Sequence, residues 1–402
     1  MEERTMRRWI TASIILAMTT GALADTAPSI CRLQPDGMPE SWRPSEAMTR
    51  TLDASPWTDA ENVTLRAAVS AGLDGLIALF ANNPDAVMVL WDDSIEMLLQ
   101  VTYSADADPD LSGKARAAAG ANLSTLIGSY DGLDPAWAAC KEYDALLPLA
   151  VFAHRLYEPG DSRTAMITAR TNASAQDCGS LDDAITIDYR DLMAEKGVLP
   201  GEIEDLFDLA LWSIWLTEAA VYPDIRLPAG ADRFAPEAMD YLRSLTLGLA
   251  SNFSEGADGR EFELRAQLAR QIAYIPSDNQ RFPLYVADMP ELHRFIRENF
   301  YPALQAGSYE IISSFVDTLR QYGCTPANDR QVRDGTRFLL KEFATIRQSW
   351  TADGGMGDGD PGTGAFSAWA AIRGLRERIP LTPQDGNYGA IIRSWLPAPA
   401  SP

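Results

Sequence analysis

Apolar side chains recur at three- and four-residue steps along nearly the whole chain, and this spacing restricts the fold more than any other feature. From Asp59 to Asn82, residues Leu65, Val69, Leu73, Leu76 and Phe80 share one face of a helix. Pro84 opens the next helical stretch, which runs through Trp91 to Tyr103. The same pattern predicts helices near 111–129, 142–158, 160–175, 181–196, 201–221, 235–253, 259–273, 290–305, 308–322, 329–348 and 364–378. Pro200 and Pro236 stand near first turns, and Asp110 and Asp329 at caps. Strand-type alternation is scarce; Leu181 to Asp188 is the best candidate, and it competes with a helix there. Thirteen helices with no low-complexity linker between them predict one continuous all-α domain over residues 59–380. Residues 25–58 read as an N-terminal extension, and 381–402, loose and Pro-rich from Pro397, as a C-terminal tail.

Residues 1–24 have the composition of a signal peptide. Arg4, Arg7 and Arg8 precede an apolar run from Ile10 to Met18, and Ala22-Leu23-Ala24 supplies small residues for cleavage. That run is shorter than the roughly 20 residues needed to span a bilayer, and no later segment reads as long and apolar enough. The chain is therefore expected to be periplasmic or secreted, with no membrane span. Cys31, Cys140, Cys178 and Cys324 fit an oxidising compartment, where four cysteines read as two disulfides. Of the three possible pairings, Cys140–Cys178 as a local staple and Cys31–Cys324 as a clasp between the chain ends are favoured. No Cys-x-x-Cys occurs, which leaves redox and zinc motifs unsupported.

Charge narrows the ligand. Asp and Glu number 56 against 34 Lys and Arg, for a net charge of -22. Such a surface repels DNA, RNA and anionic lipid, so no nucleic-acid partner is expected. Two histidines are too few for a His-rich metal site. Gly357-Asp-Gly359-Asp-Pro-Gly362 satisfies G-x-G-x-x-G in letters only, because a helix precedes it and Asp358 and Asp360 would repel a pyrophosphate. Asp353, Asp358 and Asp360, and likewise Asp106, Asp108 and Asp110, fit flexible or helix-capping turns better than calcium loops. No G-x-S-x-G, H-E-x-x-H or G-K-[ST] occurs. No metal and no cofactor is therefore expected.

Three predicted helices open with an aromatic residue followed by aspartate: Trp91-Asp92, Tyr143-Asp144 and Phe207-Asp208. A fourth starts with Phe366-Ser367-Ala368-Trp369. Recurrence about once per helical pair suggests stacked hairpins. The C-terminal segment carries a more specific pattern: Gln331-Val-Arg-Asp-Gly-Thr-Arg-Phe-Leu-Leu340, then Gln348, then Asp353-Gly-Gly-Met-Gly-Asp358, then Phe366 to Leu375. It resembles the repeat of α/α-toroid proteins, as in the squalene-cyclase and prenyltransferase superfamily. There an outer helix ends in Gln, an Asp-Gly-Gly-Trp-Gly loop follows, and an inner helix begins with an aromatic residue. Met356 stands where that family prefers an aromatic, and the acidic motif that protonates an isoprenoid is lacking. The resemblance implies a single (α/α)6-type toroid, about six helical hairpins around a central cavity, and leaves activity open because one fold hosts many chemistries.

Inner helices of a toroid begin at the cavity mouth, which makes Asp92, Asp144 and Asp208 the candidate catalytic carboxylates. Glycoside hydrolysis needs one carboxyl as acid and a second as base or nucleophile, about 5–10 Å apart. Trp91, Trp212, Trp215 and Trp369 are the candidate sugar-stacking residues; Trp212 and Trp215 follow Asp208 by one and two turns. The expected function is that of an exported protein acting on a carbohydrate, a glycan or other small molecule, by hydrolysis with paired carboxylates. The alternatives are a non-catalytic helical scaffold or binding protein, and a polysaccharide lyase or epimerase. A lyase would draw on His154 or His293 with a Tyr as base, and on Arg265, Arg270 and Arg281 to hold an anionic sugar.

Overall fold

The computed structural model describes residues 39–104, 108–194, 203–248, 257–278, 282–348, 361–376 and 386–396. These residues form α-helices joined by loops, with no strand among them and one isolated bridge between Ser180 and Ala229. In chain order the first helices are α1 (Glu46–Thr49), α2 (Asp59–Asn82), α3 (Pro84–Leu90), α4 (Asp93–Ser104), α5 (Pro109–Gly128) and α6 (Tyr143–Leu156). Next come α7 (Ser162–Cys178), α8 (Leu181–Ala184), α9 (Tyr189–Ala194), α10 (Glu204–Ala219), α11 (Ala231–Ser244) and α12 (Ala257–Ser277). The last are α13 (Pro290–Ala306), α14 (Tyr309–Gln321), α15 (Arg330–Gln348), α16 (Pro361–Arg373) and α17 (Gly386–Trp395).

Helix α2 spans the predicted residues, and its start has a reciprocal cap: Thr58 Oγ1 accepts from the Glu61 amide while Glu61 accepts from the Thr58 amide. Its stripe of Leu65, Val69, Leu73, Leu76 and Phe80 is buried. Where sequence and structure differ, local chemistry gives the reason. The helix expected from Pro84 to Tyr103 breaks at Trp91, whose φ of 46° leaves the right-handed helical region. The 181–196 stretch forms only the short α8 and α9, and the strand candidate Leu181–Asp188 does not form. Helix α11 starts at Ala231, with Gly230 at φ 98° before it, so Pro236 lies inside the helix. Asp108 rather than Asp110 caps α5, accepting from the Leu111 amide at 3.2 Å, whereas Asp329 caps α15 as expected, accepting from the Val332 amide at 2.9 Å. Helix α17 forms in the stretch read as a tail and packs on α10 and α11.

The packing follows hairpin order. Helices α4 and α5, α6 and α7, α10 and α11, and α14 and α15 lie against one another. A second series of contacts links α6 to α10, α10 to α12, α12 to α14, and α14 to α16. Helix α16 then packs on α2 and α3, so the late helices meet the early ones. Gly72 makes that crossing possible: a Cβ there would stand 1.9 Å from Ile372 Cγ2. By length and composition α2 is long and apolar enough to cross a membrane, which corrects the expectation that no segment after the first 24 residues is. Here its apolar stripe packs on α16, α15 and α5.

A disulfide joins Cys140, just before α6, to Cys178, the last residue of α7, as the sequence predicts. Cys324 is also disulfide-bonded; Cys31 lies outside the described residues. So do the signal-peptide stretch, Asp106, Pro200, Arg281 and the glycine-rich segment around Asp353, Asp358 and Asp360.

Candidate functional site

A cavity of about 270 Å³ opens between the residues entering α4, the start of α6 and the body of α10 past its first turn. Trp91, Asp92, Asp144, Asp208, Trp212 and Trp215 all line it. Six of the seven catalytic and stacking candidates thus come together. The seventh, Trp369, is a correction: it is buried in α16 beneath the Arg376 guanidinium, 5.1 Å from the ring centre, and is not part of this lining.

Each wall has a local cause. The left-handed backbone at Trp91 ends α3 and aims the chain into α4, with the Ser94 hydroxyl donating to the Trp91 carbonyl at 2.7 Å. A bulky residue in that region carries strain, which clusters at functional sites. The Trp91 indole N–H donates to the Ala145 carbonyl at 3.2 Å and so ties the start of α4 to the start of α6. Trp212, 9% exposed, stacks on Tyr143 of α6, and Trp215, 3% exposed, meets Phe152 edge-on at 5.1 Å. Among the described residues the Trp215 indole N–H is buried without an acceptor, a cost that buried donors in folded proteins rarely carry. Asp144 and Asp208 are exposed at the mouth. Partial burial and then the charge of Asp205 raise the Asp208 carboxyl above its ordinary range.

Two further carboxyls were not anticipated. Asp92, just before α4, and Glu96 and Gln100 within it recur every four residues, and Ile95, Leu98, Leu99 and Val101 of the same helix are apolar and buried. Asp92, Asp93 and Glu96 keep partial solvent access although protein surrounds them closely, as expected of groups bordering an interior space. Burial, reinforced by Asp93 and then Glu96, holds Asp92 well above the usual carboxylate range. Burial and the neighbouring Asp93 push Glu96 up to about 7, against the pull of Arg270, Gln100 and Arg155. Asp93 is pushed by burial to about 6, with Arg270 opposing. The signal was present in the sequence as a polar stripe at helical spacing inside an apolar helix.

Beneath these acids lies a layer of buried ion pairs. Arg155, late in α6, meets Glu218 of α10 at 2.8 Å and Asp278, just after α12, at 2.7 Å. Helices α6 and α10 therefore both run from the cavity to this layer. Burial drives Glu218 well upward; Arg155 pulls it down, and the hydrogen-bonded Asp278 adds to the rise. Two carboxyls therefore face one guanidinium in this layer. Asp278 has φ 48°, and with Trp91 it completes the left-handed non-glycine residues among those described. Arg376, following α16, pairs with Asp317 of α14 at 2.8 Å and donates to the Gln100 carbonyl at 2.7 Å.

The residues a lyase would need are elsewhere. His293 is buried edge-on to Trp42 and Tyr322, and burial plus the Arg297 charge lowers it to about 3. His154 stacks on Tyr222 and lies 3.3 Å from Asp224. Neither lines the cavity, and Arg265 is paired with Glu261. Of the two described arginines, Arg265 and Arg270, it is Arg270 that acts on the acids, from behind them. No described residue lining the cavity is basic. Compared with known proteins, the chain matches no family model, no curated protein and no solved structure.

Proposed function

We propose that this chain is an exported hydrolase of neutral glycans, built as an α/α toroid, with its active site in the cavity between the entry to α4, the start of α6 and the body of α10. The observation that carries the reading is the convergence of Asp92, Asp144 and Asp208 with Trp91, Trp212 and Trp215 in one cavity. The toroid is supported by the hairpin order of the packing and by the contact of α16 with α2 and α3. Export is supported by the leader-like first residues and by the Cys140–Cys178 disulfide, which an oxidising compartment permits.

Hydrolysis by two carboxyls requires them to sit in unlike environments, one kept protonated and one ionised. Asp92 is the enclosed member of the set and Asp208 an exposed one. In the proposed reaction Asp92 gives its proton to the leaving oxygen as the anomeric C–O bond breaks. Asp208 takes a proton from the water whose oxygen bonds to the anomeric carbon. One water is consumed, a hemiacetal reducing end and an alcohol result, and the proton on Asp208 returns to Asp92 through solvent. The tryptophan faces hold the sugar ring by stacking. An acidic lining without a basic residue among the described residues repels uronates, which favours a neutral glycan over the anionic substrate of a lyase.

Titration of tryptophan fluorescence with a panel of neutral oligosaccharides tests the site. Binding that Trp212→Ala weakens at least tenfold is the expected result. Absence of binding, or binding that Trp212→Ala leaves unchanged, contradicts it.

A further inference from the structure

Behind Asp92 the fold has built a directed chain of donors that the hydrolase reading does not use. The Arg270 guanidinium donates to the Tyr274 hydroxyl at 3.2 Å. That hydroxyl donates onward to Gln100 Oε1 at 3.2 Å, and Gln100 Nε2 donates to Glu96 Oε1 at 2.6 Å. Because Arg270 can only donate, Tyr274 must turn its own hydrogen toward Gln100, and the amide then has one orientation left, with its NH2 on Glu96. Among the described residues Glu96 Oε2 takes no hydrogen bond, so it is the oxygen placed to carry a proton.

Building on the proposed hydrolase, we propose that Glu96 is a positioning residue for Asp92: the two carboxyls, one just before α4 and the other one turn into it, hold one proton between them, and the Arg270–Tyr274–Gln100 chain keeps Glu96 in place. The Glu96 amide donates to the Asp92 carbonyl at 2.9 Å, which sets the two residues one turn apart at the start of α4. Like charges one turn apart in an enclosed setting do not both ionise readily, so they titrate as a pair. The groups facing Glu96 set the balance: Asp92 and Asp93 on its own helix, Arg155 from α6, Glu218 from α10 and Arg270 from α12. When the shared proton leaves from Asp92, both carboxyls stand ionised until it is replaced, and Arg270 and Arg155 offset the charge on Glu96. The proton that Asp208 took from water then restores the pair through solvent.

Difference infrared titration of the full chain, following the protonated-carboxyl stretch between about pH 5 and 8, reads this directly in the wild type, Asp92→Asn, Glu96→Gln and Tyr274→Phe. Asp92→Asn assigns the Asp92 signal by removing it. Glu96→Gln should move the Asp92 midpoint down by on the order of one pH unit, because a like charge is gone. Tyr274→Phe keeps the ring, frees Gln100 and should move the Glu96 midpoint up, since the bond from Gln100 favours the ionised form. A Tyr274 that serves packing alone would leave that midpoint where it was. An Asp92 midpoint unmoved by Glu96→Gln, or a Glu96 midpoint unmoved by Tyr274→Phe in a variant of unchanged helical content, overturns the proposal. Because these midpoints need no turnover, hydrolysis with independent carboxyls would refute the pair alone. Paired titration without hydrolysis would refute the hydrolase reading alone.

Discussion

The indole of Trp212 lies nearly parallel to the phenol of Tyr143, with 16° between the planes and 6.0 Å between the ring centres. The pair joins α10 to the first turn of α6 beside the cavity, so Trp212 is at once a wall of the site and part of the core. Trp212→Ala should lose oligosaccharide affinity and also cost about 3–5 kcal/mol of stability. Trp212→Phe, which keeps a stacking ring, should retain most of both. Urea denaturation and oligosaccharide titration of the two variants measure this, and wild-type stability in Trp212→Ala contradicts it.

Helical periodicity made most of the fold legible because burial on one face imposes the same step everywhere, as along α2 from Leu65 to Phe80. Trp91-Asp92 and Tyr143-Asp144 were legible at the entries of α4 and α6, where a helix N-terminus favours a carboxylate, whereas Phe207-Asp208 lies past the first turn of α10, which begins at Glu204. What periodicity could not show was the break at Trp91, a left-handed residue in the middle of an apparently continuous helix. Nor could it show Glu96, whose meaning depends on Arg270 and Tyr274 arriving from far along the chain. Trp369 was read as a cavity residue although it is buried in α16, because an aromatic near a helix start reads alike whether it faces a cavity or the core.

Burial pushes Glu96 from 4.5 to about 7 and Asp93 from 3.8 to about 6. The folded chain therefore binds these protons more tightly than the unfolded chain. Their contribution to stability is complete below the unfolded values and is lost as pH rises through the folded ones. Unfolding free energy should fall as pH rises from about 4.5 to 7, and Glu96→Gln should remove on the order of 3 kcal/mol of that fall. Asp161, lowered to about 2 beside Arg163, changes only below this window. Urea midpoints across the range check the sign, and a rise toward neutral pH that Glu96→Gln leaves intact would be the opposite outcome.

Reducing the Cys140–Cys178 bond, which closes a loop of sequence separation 38, should cost on the order of 2–4 kcal/mol. Because the bond ties α7 to the segment leading into Asp144, ligand affinity should fall along with the melting temperature in Cys140→Ala/Cys178→Ala. Calorimetry and oligosaccharide titration of that variant provide the check, and unchanged values for both contradict it.

Contact between α16 and α2 rests on Gly72, where an added methyl meets Ile372. Gly72→Ala should cost about 1–3 kcal/mol through overpacking, although alanine is the better helix former. The paired change Gly72→Ala/Ile372→Ala should cost less than the two single changes added together, because it removes the clash. A stabilised Gly72→Ala would contradict this close approach of the two helices.

Release of reducing ends from a panel of neutral polysaccharides, by the wild type and by Asp92→Asn and Asp208→Asn, tests the central claim most directly. Both substitutions remove an ionisable group at nearly constant shape, and Asp208 is exposed, so Asp208→Asn should keep its melting temperature. The account predicts release from at least one neutral polysaccharide by the wild type and loss of that activity in both variants. Full activity in either variant, or no release from any of the polysaccharides, would contradict it.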